Sequence, residues 1–195
     1  MVDKEIQMAR FLKTLFALLF AVAPARAEIL GMKVERMATE EEMKSSLRQI
    51  DLVDEKGQPF DLRATMGNGR PTFVSIWAHW CPNCLAEAPG YKALAKACPD
   101  RWNVVFVSSM RKDYPKDLAK FRTYGLPWKI YRIADTVNAE PDKAKAAVAF
   151  YGLTKEGGVV TPTHYLIDET GAVKAIISGK MNIAEPERLA AFCGN

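Results

Sequence analysis

The sequence predicts an α/β protein in which helices flank a central mixed β-sheet. Two apolar segments, PTFVSIWA at 71–78 and NVVFVSS at 103–109, are rich in the β-branched and aromatic residues that form buried strands. Helical patterns alternate with these segments, which is typical of parallel strands joined by helical crossovers. Farther along, THYLID at 163–168 and AVKAIIS at 172–178 flank the turn residues ETG, which predicts an antiparallel hairpin and therefore a mixed sheet.

The first 27 residues have the pattern of a signal peptide. Basic residues precede the apolar run Leu15–Ala23, and a small-residue A-x-A motif ends at Ala27. The apolar run is shorter than the roughly 18–20 residues that a membrane-spanning helix needs. We therefore predict a signal peptide at 1–27, cleavage after Ala27, and a periplasmic mature domain at 28–195, with an uncleaved N-terminal membrane anchor as the alternative.

Two elements are expected between the leader and the first buried strand. The segment ATEEEMKSSLRQI at 38–50 predicts a short helix, because Thr39 and Glu42 have the spacing of a capping box. The segment IDLVDEKGQPFDL at 50–62 predicts two short strands around the turn EKGQP. The sheet is therefore expected to carry a hairpin on its N-terminal side.

The later helices are indicated by their spacing and by their boundary residues. Apolar residues at helical spacing run from Pro82 to about Ala97. Proline near the start and glycine at the end predict three more helices, which are PKDLAKFRTYG at 115–125, PDKAKAAVAFYG at 141–152 and EPERLAAFCG at 185–194. WKIYRIAD at 128–135 is interpreted as a short strand, and the charge-rich segment at 111–122 as a solvated helix face.

Composition and charge argue against several classes of function. The apolar fraction of 49% fits a folded globular chain. The leader contains four basic and two acidic residues, so it holds half of the net charge of +4. The weak remaining charge includes no basic stripe, so we expect no nucleic-acid partner. No motif implies a small-molecule cofactor, and we expect a monomer.

Cysteines carry the most specific chemical signal. All four follow the leader, and an even count in an exported chain allows two disulfides in three possible pairings. Cys81 and Cys84 have C-x-x-C spacing where the strand at 71–78 runs into the next helix. The free N–H groups and dipole of a helix N-terminus stabilise a thiolate, so we expect a low pKa and an accessible sulfur at Cys81. Cys84, one turn deeper, is expected to be less exposed and to resolve the mixed disulfide that Cys81 forms.

Two residues beyond the cysteines each leave two interpretations. Glu87 lies three residues after Cys84 on the same helical face, where it could accept the proton of the resolving thiol. The alternative is a solvated residue near the helix start, and spacing alone does not decide. Pro89 predicts either a kink, which costs about 3 kcal/mol in a helix interior, or a helix that ends and restarts.

The segment FVSIWAHWCPNCLAEAP at 73–89 resembles the active-site segment of the thioredoxin superfamily, in its exported TlpA/ResA/DsbE-like branch. That branch has W-C-x-x-C after an apolar strand, with Glu three and Pro five residues beyond the second cysteine. The matching residues are Trp80, Cys81, Cys84, Glu87 and Pro89. The flanking segments at 53–78 and 151–173 are similar to the same branch, so the resemblance covers roughly residues 50–180.

This resemblance implies a thioredoxin-like fold with an N-terminal hairpin extension and a central helical insertion within residues 113–150. It implies that Pro162 is a cis-proline facing the cysteine pair. The backbone of Thr161 would then pair with the substrate as with an added strand, and Trp80 would also bind the substrate. Catalysis is expected from Cys81 and Cys84, with Glu87 as the proton acceptor.

The resemblance also implies a structural disulfide between Cys98 and Cys193. In a thioredoxin fold the active-site helix and the closing helix lie on one face of the sheet and run the same way. Their C-terminal ends, which carry Cys98 and Cys193, can therefore meet. Two separate buried thiols are the alternative.

The chain departs from the branch at two places beside the cysteines. The dipeptide between them is Pro82-Asn83, where a second proline is common in the branch. His79 occupies a position where small polar residues are usual. A positively charged imidazole there would favour the Cys81 thiolate, whereas the alternative is a surface neighbour without a role.

The resemblance implies an exported thiol–disulfide reductase. Its partners would be proteins with cysteines or disulfides, such as those in cytochrome c or copper-centre maturation, and a membrane electron donor. A disulfide oxidase or isomerase is the alternative within the same chemistry, because the sequence does not set the reduction potential. A Cu or Zn chaperone is the alternative from another class, although no third and fourth ligand follow at finger-like spacing, so no metal site is expected.

Overall fold

The computed structural model describes residues 28–29, 32–33, 38–152 and 159–194. Residues 1–27, for which the sequence predicts a signal peptide, lie outside the described residues. Within the described ranges, no helix is both long enough and apolar enough to cross a membrane.

A seven-stranded mixed sheet organises the described chain. Its strands are β3 (Leu52–Val53), β4 (Pro59–Phe60), β5 (Thr72–Trp77), β6 (Asn103–Ser108), β7 (Ile130–Ile133), β8 (Thr163–Ile167) and β9 (Val173–Ser178), and they lie in the order β4-β3-β7-β6-β5-β8-β9. Strands β5, β6 and β7 run parallel, whereas β8, β9 and the β3–β4 hairpin pair antiparallel. A separate antiparallel pair consists of β1 (Glu28–Ile29) and β2 (Met32–Lys33).

Seven helices accompany this sheet in the described chain. They are α1 (Glu40–Ser46), α2 (Leu62–Thr65), α3 (Pro82–Ala86), α4 (Ala88–Ala97), α5 (Tyr114–Arg122), α6 (Pro141–Phe150) and α7 (Pro186–Cys193). Short 3₁₀ turns occupy Arg111–Asp113 and Asp135–Ala139. The capping box predicted at α1 is confirmed, since the Thr39 side chain accepts the Glu42 N–H and the Glu42 carboxylate accepts the Thr39 N–H.

Strand β5 is buried along its whole length, which explains its uninterrupted apolar sequence. Side chains alternate across the sheet, so β5 contributes to two cores. Val74 and Ile76 pack with β8 and helix α6 on one face. Phe73 and Trp77 pack on the other face with helix α4 and the cysteine pair.

The structure decides between the two interpretations of Pro89 in favour of a helix that ends and restarts. The helix predicted over 82–97 is two helices, α3 and α4, which meet at Glu87. Pro89 lies in the first turn of α4, where its missing N–H is tolerated, so the chain ends one helix and restarts another. The short strand predicted at 128–135 is confirmed as β7, whose parallel pairing with β6 extends the sheet.

Candidate active site

The cysteine pair lies where the central strand β5 gives way to helix α3. Cys81 is the N-cap of α3, and its sulfur accepts the backbone N–H of Cys84 at 3.2 Å. The two sulfurs are joined in a disulfide, with Cα atoms 5.2 Å apart. The Trp77 indole N–H donates to the Cys84 carbonyl at 3.3 Å and ties the helix back to the strand. The helix N-terminus therefore faces Cys81, where it stabilises negative charge on sulfur.

Exposure does not separate the two sulfurs in this disulfide form. Cys81 is 3% exposed and Cys84 is fully buried, so the expectation of an accessible Cys81 is wrong for the oxidised protein. The carbonyl oxygen of Thr161 lies 3.3 Å from the Cys81 sulfur, and the Thr161–Pro162 peptide bond is cis. The asymmetry of the pair therefore comes from backbone contacts: Cys81 caps the helix and faces the Thr161 carbonyl, while Cys84 lies inside.

Trp80 stands out beside this buried pair. Its side chain is 45% exposed, and no other large hydrophobic side chain of the described residues is exposed. Its indole N–H donates to the Asp113 carboxylate at 3.3 Å, which fixes the ring next to Cys81. An exposed aromatic side chain held in one orientation is suited to contacting another protein.

Glu87 is the residue at which α3 ends and α4 begins. It is 1% exposed, so the interpretation of Glu87 as a solvated residue is wrong. Its Oε1 accepts the Asn182 N–H at 2.8 Å. Burial raises the pKa of Glu87 above its ordinary value, while the N–H groups of Asn182 and Met181 oppose that shift by favouring the ionised form. A carboxylate with a raised pKa is a better proton acceptor than an ordinary carboxylate.

Asp117 is a site residue that the sequence analysis missed. It is fully buried on α5, and its Oδ1 lies 2.7 Å from both the backbone N and the Nδ1 of His79. Its Oδ2 accepts the Ser108 hydroxyl. His79 is therefore anchored and is not the free surface neighbour considered above. Helical periodicity alone could have placed Asp117 on the inner face of α5, three and four residues from Tyr114 and Phe121.

Cys98 and Cys193 form the second disulfide, with Cα atoms 5.6 Å apart. Cys98 is the C-cap of α4 and Cys193 is the last residue of α7. The helix ends are also joined by the Trp102 indole N–H, which donates to the Phe192 carbonyl at 2.7 Å. Helix α4 has ten residues and therefore rises about 15 Å along its axis. The start of α4 lies beside the Cys81–Cys84 pair, and the second disulfide lies at its far end.

The structure thus brings the sequence-predicted residues Cys81, Cys84, Thr161 and Pro162 together at the start of α3. Trp80 lies beside them, and Glu87 lies at the other end of the same helix. Within the described ranges, no group of three or more His, Cys, Asp and Glu side chains is arranged to hold a metal ion. Together the fold and this site define a thioredoxin-like protein with a C-x-x-C cysteine pair at the N-terminus of a helix.

The chain belongs to the AhpC/TSA family, which it matches over residues 34–176. It is 26% identical over 98 residues to the thiol:disulfide interchange protein TxlA homolog of Synechocystis, a match covering 47% of this chain and 54% of that protein. It is 30% identical over 122 residues to the thioredoxin-like protein YneN of Bacillus subtilis, covering 62% and 63%. The chain therefore spans less than two thirds of the length of these two relatives.

Solved structures with the same fold confirm the predicted thioredoxin-like architecture. A secreted Mycobacterium tuberculosis disulfide oxidoreductase homologous to E. coli DsbE superposes with a TM-score of 0.53 at 24% identity, covering 78% of this chain and 99% of that chain. A thioredoxin family thiol:disulfide interchange protein from Chlorobium tepidum gives a TM-score of 0.55 at 21% identity, covering 84% and 99%. At these identities the likeness concerns the fold.

Proposed function

We propose that this protein is an exported thiol–disulfide oxidoreductase that reduces disulfides in other proteins through Cys81 and Cys84. The observation that carries the proposal is the cysteine pair at the N-terminus of α3, with the Cys81 sulfur facing the Thr161 carbonyl. A helix N-terminus favours a thiolate at Cys81, and the thiolate is the attacking form in disulfide exchange.

The first chemical step is attack by the reduced enzyme on a substrate disulfide. The Cys81 thiolate forms a bond to one substrate sulfur, and the other substrate sulfur leaves as a thiolate. The N–H of Cys84, which lies 3.2 Å from the Cys81 sulfur, stabilises the charge on Cys81 before attack. The product of this step is a mixed disulfide between Cys81 and the substrate.

The second step resolves the mixed disulfide. Cys84 transfers its thiol proton to the Glu87 carboxylate, and the resulting thiolate attacks the Cys81 sulfur. The substrate sulfur that was bonded to Cys81 leaves as a thiolate, so two electrons have passed to the substrate. The enzyme is then in the Cys81–Cys84 disulfide form, which is the form of this structure. Burial raises the pKa of Glu87, which supports its role as the proton acceptor.

Substrate binding is proposed to use backbone pairing and one aromatic contact. The carbonyl of Thr161 lies beside the reacting sulfur, where an extended peptide can pair with the backbone that precedes Pro162. Trp80 offers the exposed apolar surface next to it. Thr161, Pro162 and Trp80 therefore form the proposed substrate-binding surface, which accepts different sequences because backbone pairing does not depend on side chains.

The compartment, substrates and electron donor follow from the leader and from the resemblance. We propose a periplasmic monomer, exported after cleavage at Ala27, whose substrates are cysteine-containing proteins such as those that receive haem or copper. A membrane protein would return two electrons to the Cys81–Cys84 disulfide. Sequencing the N-terminus of protein recovered from the periplasmic fraction tests export, because the expected first residue is Glu28.

The proposed mechanism is tested by trapping its mixed disulfide. Cys84→Ser leaves Cys81 free to attack but removes the resolving thiol, so substrates should accumulate covalently on Cys81 and separate on addition of dithiothreitol. The matched control is Cys81→Ser, which should trap nothing. Equal capture by both variants, or by neither, would contradict the mechanism.

The direction of electron flow is tested by the reduction potential measured against glutathione. Related dithiols span about −270 mV for reductants to about −120 mV for strong oxidants. A value near the reducing end is expected. A value near −120 mV would replace the reductase with an oxidase, which is the alternative within this chemistry.

A further inference from the structure

A group of buried polar atoms lies beneath the cysteine pair, on the same face of the sheet. Four side chains there have polar atoms without a hydrogen-bond partner among the described residues, namely Ser75 Oγ, Glu87 Oε2, Tyr91 Oη and both ring nitrogens of His164. Each of these residues is at most 1% exposed. Buried polar atoms in folded proteins nearly always have partners, so such a concentration calls for a specific explanation.

These side chains are successive neighbours along α4 and across the sheet, and we call them the polar chain. Glu87 and Tyr91 are four residues apart at the start of α4, and the Glu87 charge acts on the Tyr91 hydroxyl. The Ser75 hydroxyl is the next neighbour of the Tyr91 hydroxyl and favours its ionised form. Ser75 lies directly opposite His164 in the antiparallel pairing of β5 with β8, so their side chains share one face.

Apolar rings enclose the polar chain and keep it out of bulk solvent. Phe73 stacks on the His164 ring with centroids 5.3 Å apart, and its ring also lies 6.4 Å from that of Tyr91. His164 is thus fixed between the aromatic core and strand β8. Polar groups within such an enclosure are kept from bulk solvent, so they interact with one another, with nearby backbone groups or with buried water.

Every member of the polar chain beyond Glu87 can both donate and accept a hydrogen bond. Burial raises the pKa of Tyr91, so its hydroxyl keeps its proton. Burial lowers the pKa of His164 to about 4, so its ring is neutral and has one N–H and one bare nitrogen. Hydroxyls and a neutral imidazole can therefore reverse the direction of their hydrogen bonds without changing charge.

We propose that the polar chain from Glu87 through Tyr91 and Ser75 to His164 binds buried water and serves as a hydrogen-bond relay, in which every bond reverses direction when Glu87 gains or loses its proton while the proton itself stays on Glu87. The proposal deepens the function proposed above and rests on it. When Glu87 is ionised, the chain donates hydrogen bonds toward its Oε2. When Glu87 takes the proton of Cys84, the carboxylic acid donates and each bond in the chain reverses. No atom or electron is gained or lost in this reversal.

His164 is a positioning residue in this scheme, since it acts on Glu87 through the other groups. The remaining influences on Glu87 are the positive charge of Lys180 and the backbone N–H groups of Met181, Asn182 and Ile183, all of which favour the ionised carboxylate. Tyr124 acts on Tyr91, and the backbone of Gly179 acts on His164. A change at the His164 ring also alters its contact with Gly179, which directly precedes the segment that holds Glu87, so a variant at Ser75 is needed to show that the response passes through the polar chain.

The test is a carboxyl-carbon NMR titration of Glu87 in the oxidised protein. His164→Phe keeps a ring against Phe73 but removes both nitrogens, and it should raise the Glu87 midpoint by about 0.5 pH unit or more, because a donor chain to a charged group is shortened. His164→Gln restores a donor and an acceptor and should return the midpoint toward wild type. An unchanged midpoint in His164→Phe would overturn the relay.

A second pair of variants keeps the test decisive if His164→Phe does not fold. Ser75→Ala removes a buried hydroxyl within the polar chain and should also raise the Glu87 midpoint. Ser109→Ala removes a buried hydroxyl that likewise has no partner in the described residues but follows strand β6 on the other side of β5, and it should leave the midpoint unchanged. Equal shifts in both variants, or no shift in Ser75→Ala, would contradict the relay.

Bound water is tested separately in the wild-type protein. Long-lived water should give nuclear Overhauser effects to the Tyr91 ring protons, and their absence would remove water from the proposal. Because these measurements use the resting disulfide, a negative result leaves the trapping experiment on Cys84→Ser unaffected. Failure of the relay and failure of the proposed oxidoreductase function are therefore distinguishable.

Discussion

The two disulfides of this protein have similar backbone spans but opposite surroundings. Their Cα separations are 5.2 Å and 5.6 Å. Cys81 lies at the N-terminus of a helix, where the helix dipole stabilises a thiolate, whereas Cys98 and Cys193 lie at helix C-termini, where the dipole opposes one. The comparison teaches that helix polarity, more than bridge geometry, distinguishes a bond suited to exchange from one suited to hold the fold.

The two disulfides also differ strongly in the length of the loop that each one closes. Cys84 lies three positions after Cys81, while Cys193 lies 95 positions after Cys98. Closing a long loop removes far more conformational freedom from the unfolded chain than closing a short one. The first bond can therefore be opened and closed at small cost to the fold, and the second cannot.

The largest expected effect is the loss of exchange activity in Cys81→Ser. Serine cannot form the thiolate that attacks a disulfide, so insulin reduction should fall to the background rate. Cys193→Ser serves as the comparison, because it opens the other disulfide without touching the active site. Substantial activity in Cys81→Ser, or its complete loss in folded Cys193→Ser, would reverse the assignment of the two bonds.

Next in size is the stability lost when the second disulfide is removed. The double variant Cys98→Ala and Cys193→Ala should lose about 4 kcal/mol of unfolding free energy, the size expected for a loop of nearly 100 residues. Urea unfolding followed by circular dichroism measures this loss. The Cys81→Ala and Cys84→Ala double variant should lose less than half as much, and equal losses would contradict the comparison.

The resolving step should slow by about 10²-fold in Glu87→Gln at pH 7, because glutamine cannot accept the Cys84 proton. Stopped-flow measurement of the tryptophan fluorescence that accompanies closure of the Cys81–Cys84 bond follows this step. The first attack, by Cys81, should be nearly unchanged. A resolving rate equal to that of wild type would remove Glu87 from the mechanism.

The two bonds should also differ in their order of reduction. Titration with dithiothreitol should open Cys81–Cys84 at an equilibrium ratio of thiol to disulfide at least about tenfold lower than Cys98–Cys193 requires, a difference of about 30 mV. Alkylation at each point followed by peptide mass analysis identifies the opened pair. Simultaneous reduction of both pairs would show that helix polarity does not separate them.

The smallest predicted effect is a pH dependence of stability that involves Glu87. Burial raises the pKa of Glu87 in the folded protein above its value in the unfolded chain, so its contribution is full at low pH and is lost as the pH rises through the folded pKa. Glu87→Gln does not ionise and should gain stability relative to wild type as the pH rises above about 4.3. Unfolding curves at pH 4 and pH 8 measure the difference, and a constant difference would contradict it.

Much of this site could be predicted from local sequence. The C-x-x-C spacing after a buried strand gave the positions of Cys81 and Cys84, because strand and helix periodicities are local signals. The resemblance to a known branch supplied Pro162 and the pairing of Cys98 with Cys193. These two features depend on contacts between distant segments, which spacing alone does not encode.

The features that were missed involve buried polar groups. The charge-rich segment at 111–122 predicts a solvated position for Asp117, yet the structure buries it against His79 and Ser108. A buried carboxylate is stable only with such partners, and those partners come from β6 and from the end of β5. Likewise, the sequence left the helix break at Glu87 open, because tertiary packing decides whether a proline kinks a helix or follows its restart.

Helix α3 has only five residues and is bounded by Cys81 at one end and Glu87 at the other. Pro82 and Asn83, the two residues between the sulfurs, are both exposed. Because α4 has its own start and its own packing, this dipeptide can be substituted to change the reduction potential of the Cys81–Cys84 pair without disturbing α4. A small library at these two positions would yield a graded series of oxidants and reductants on one scaffold.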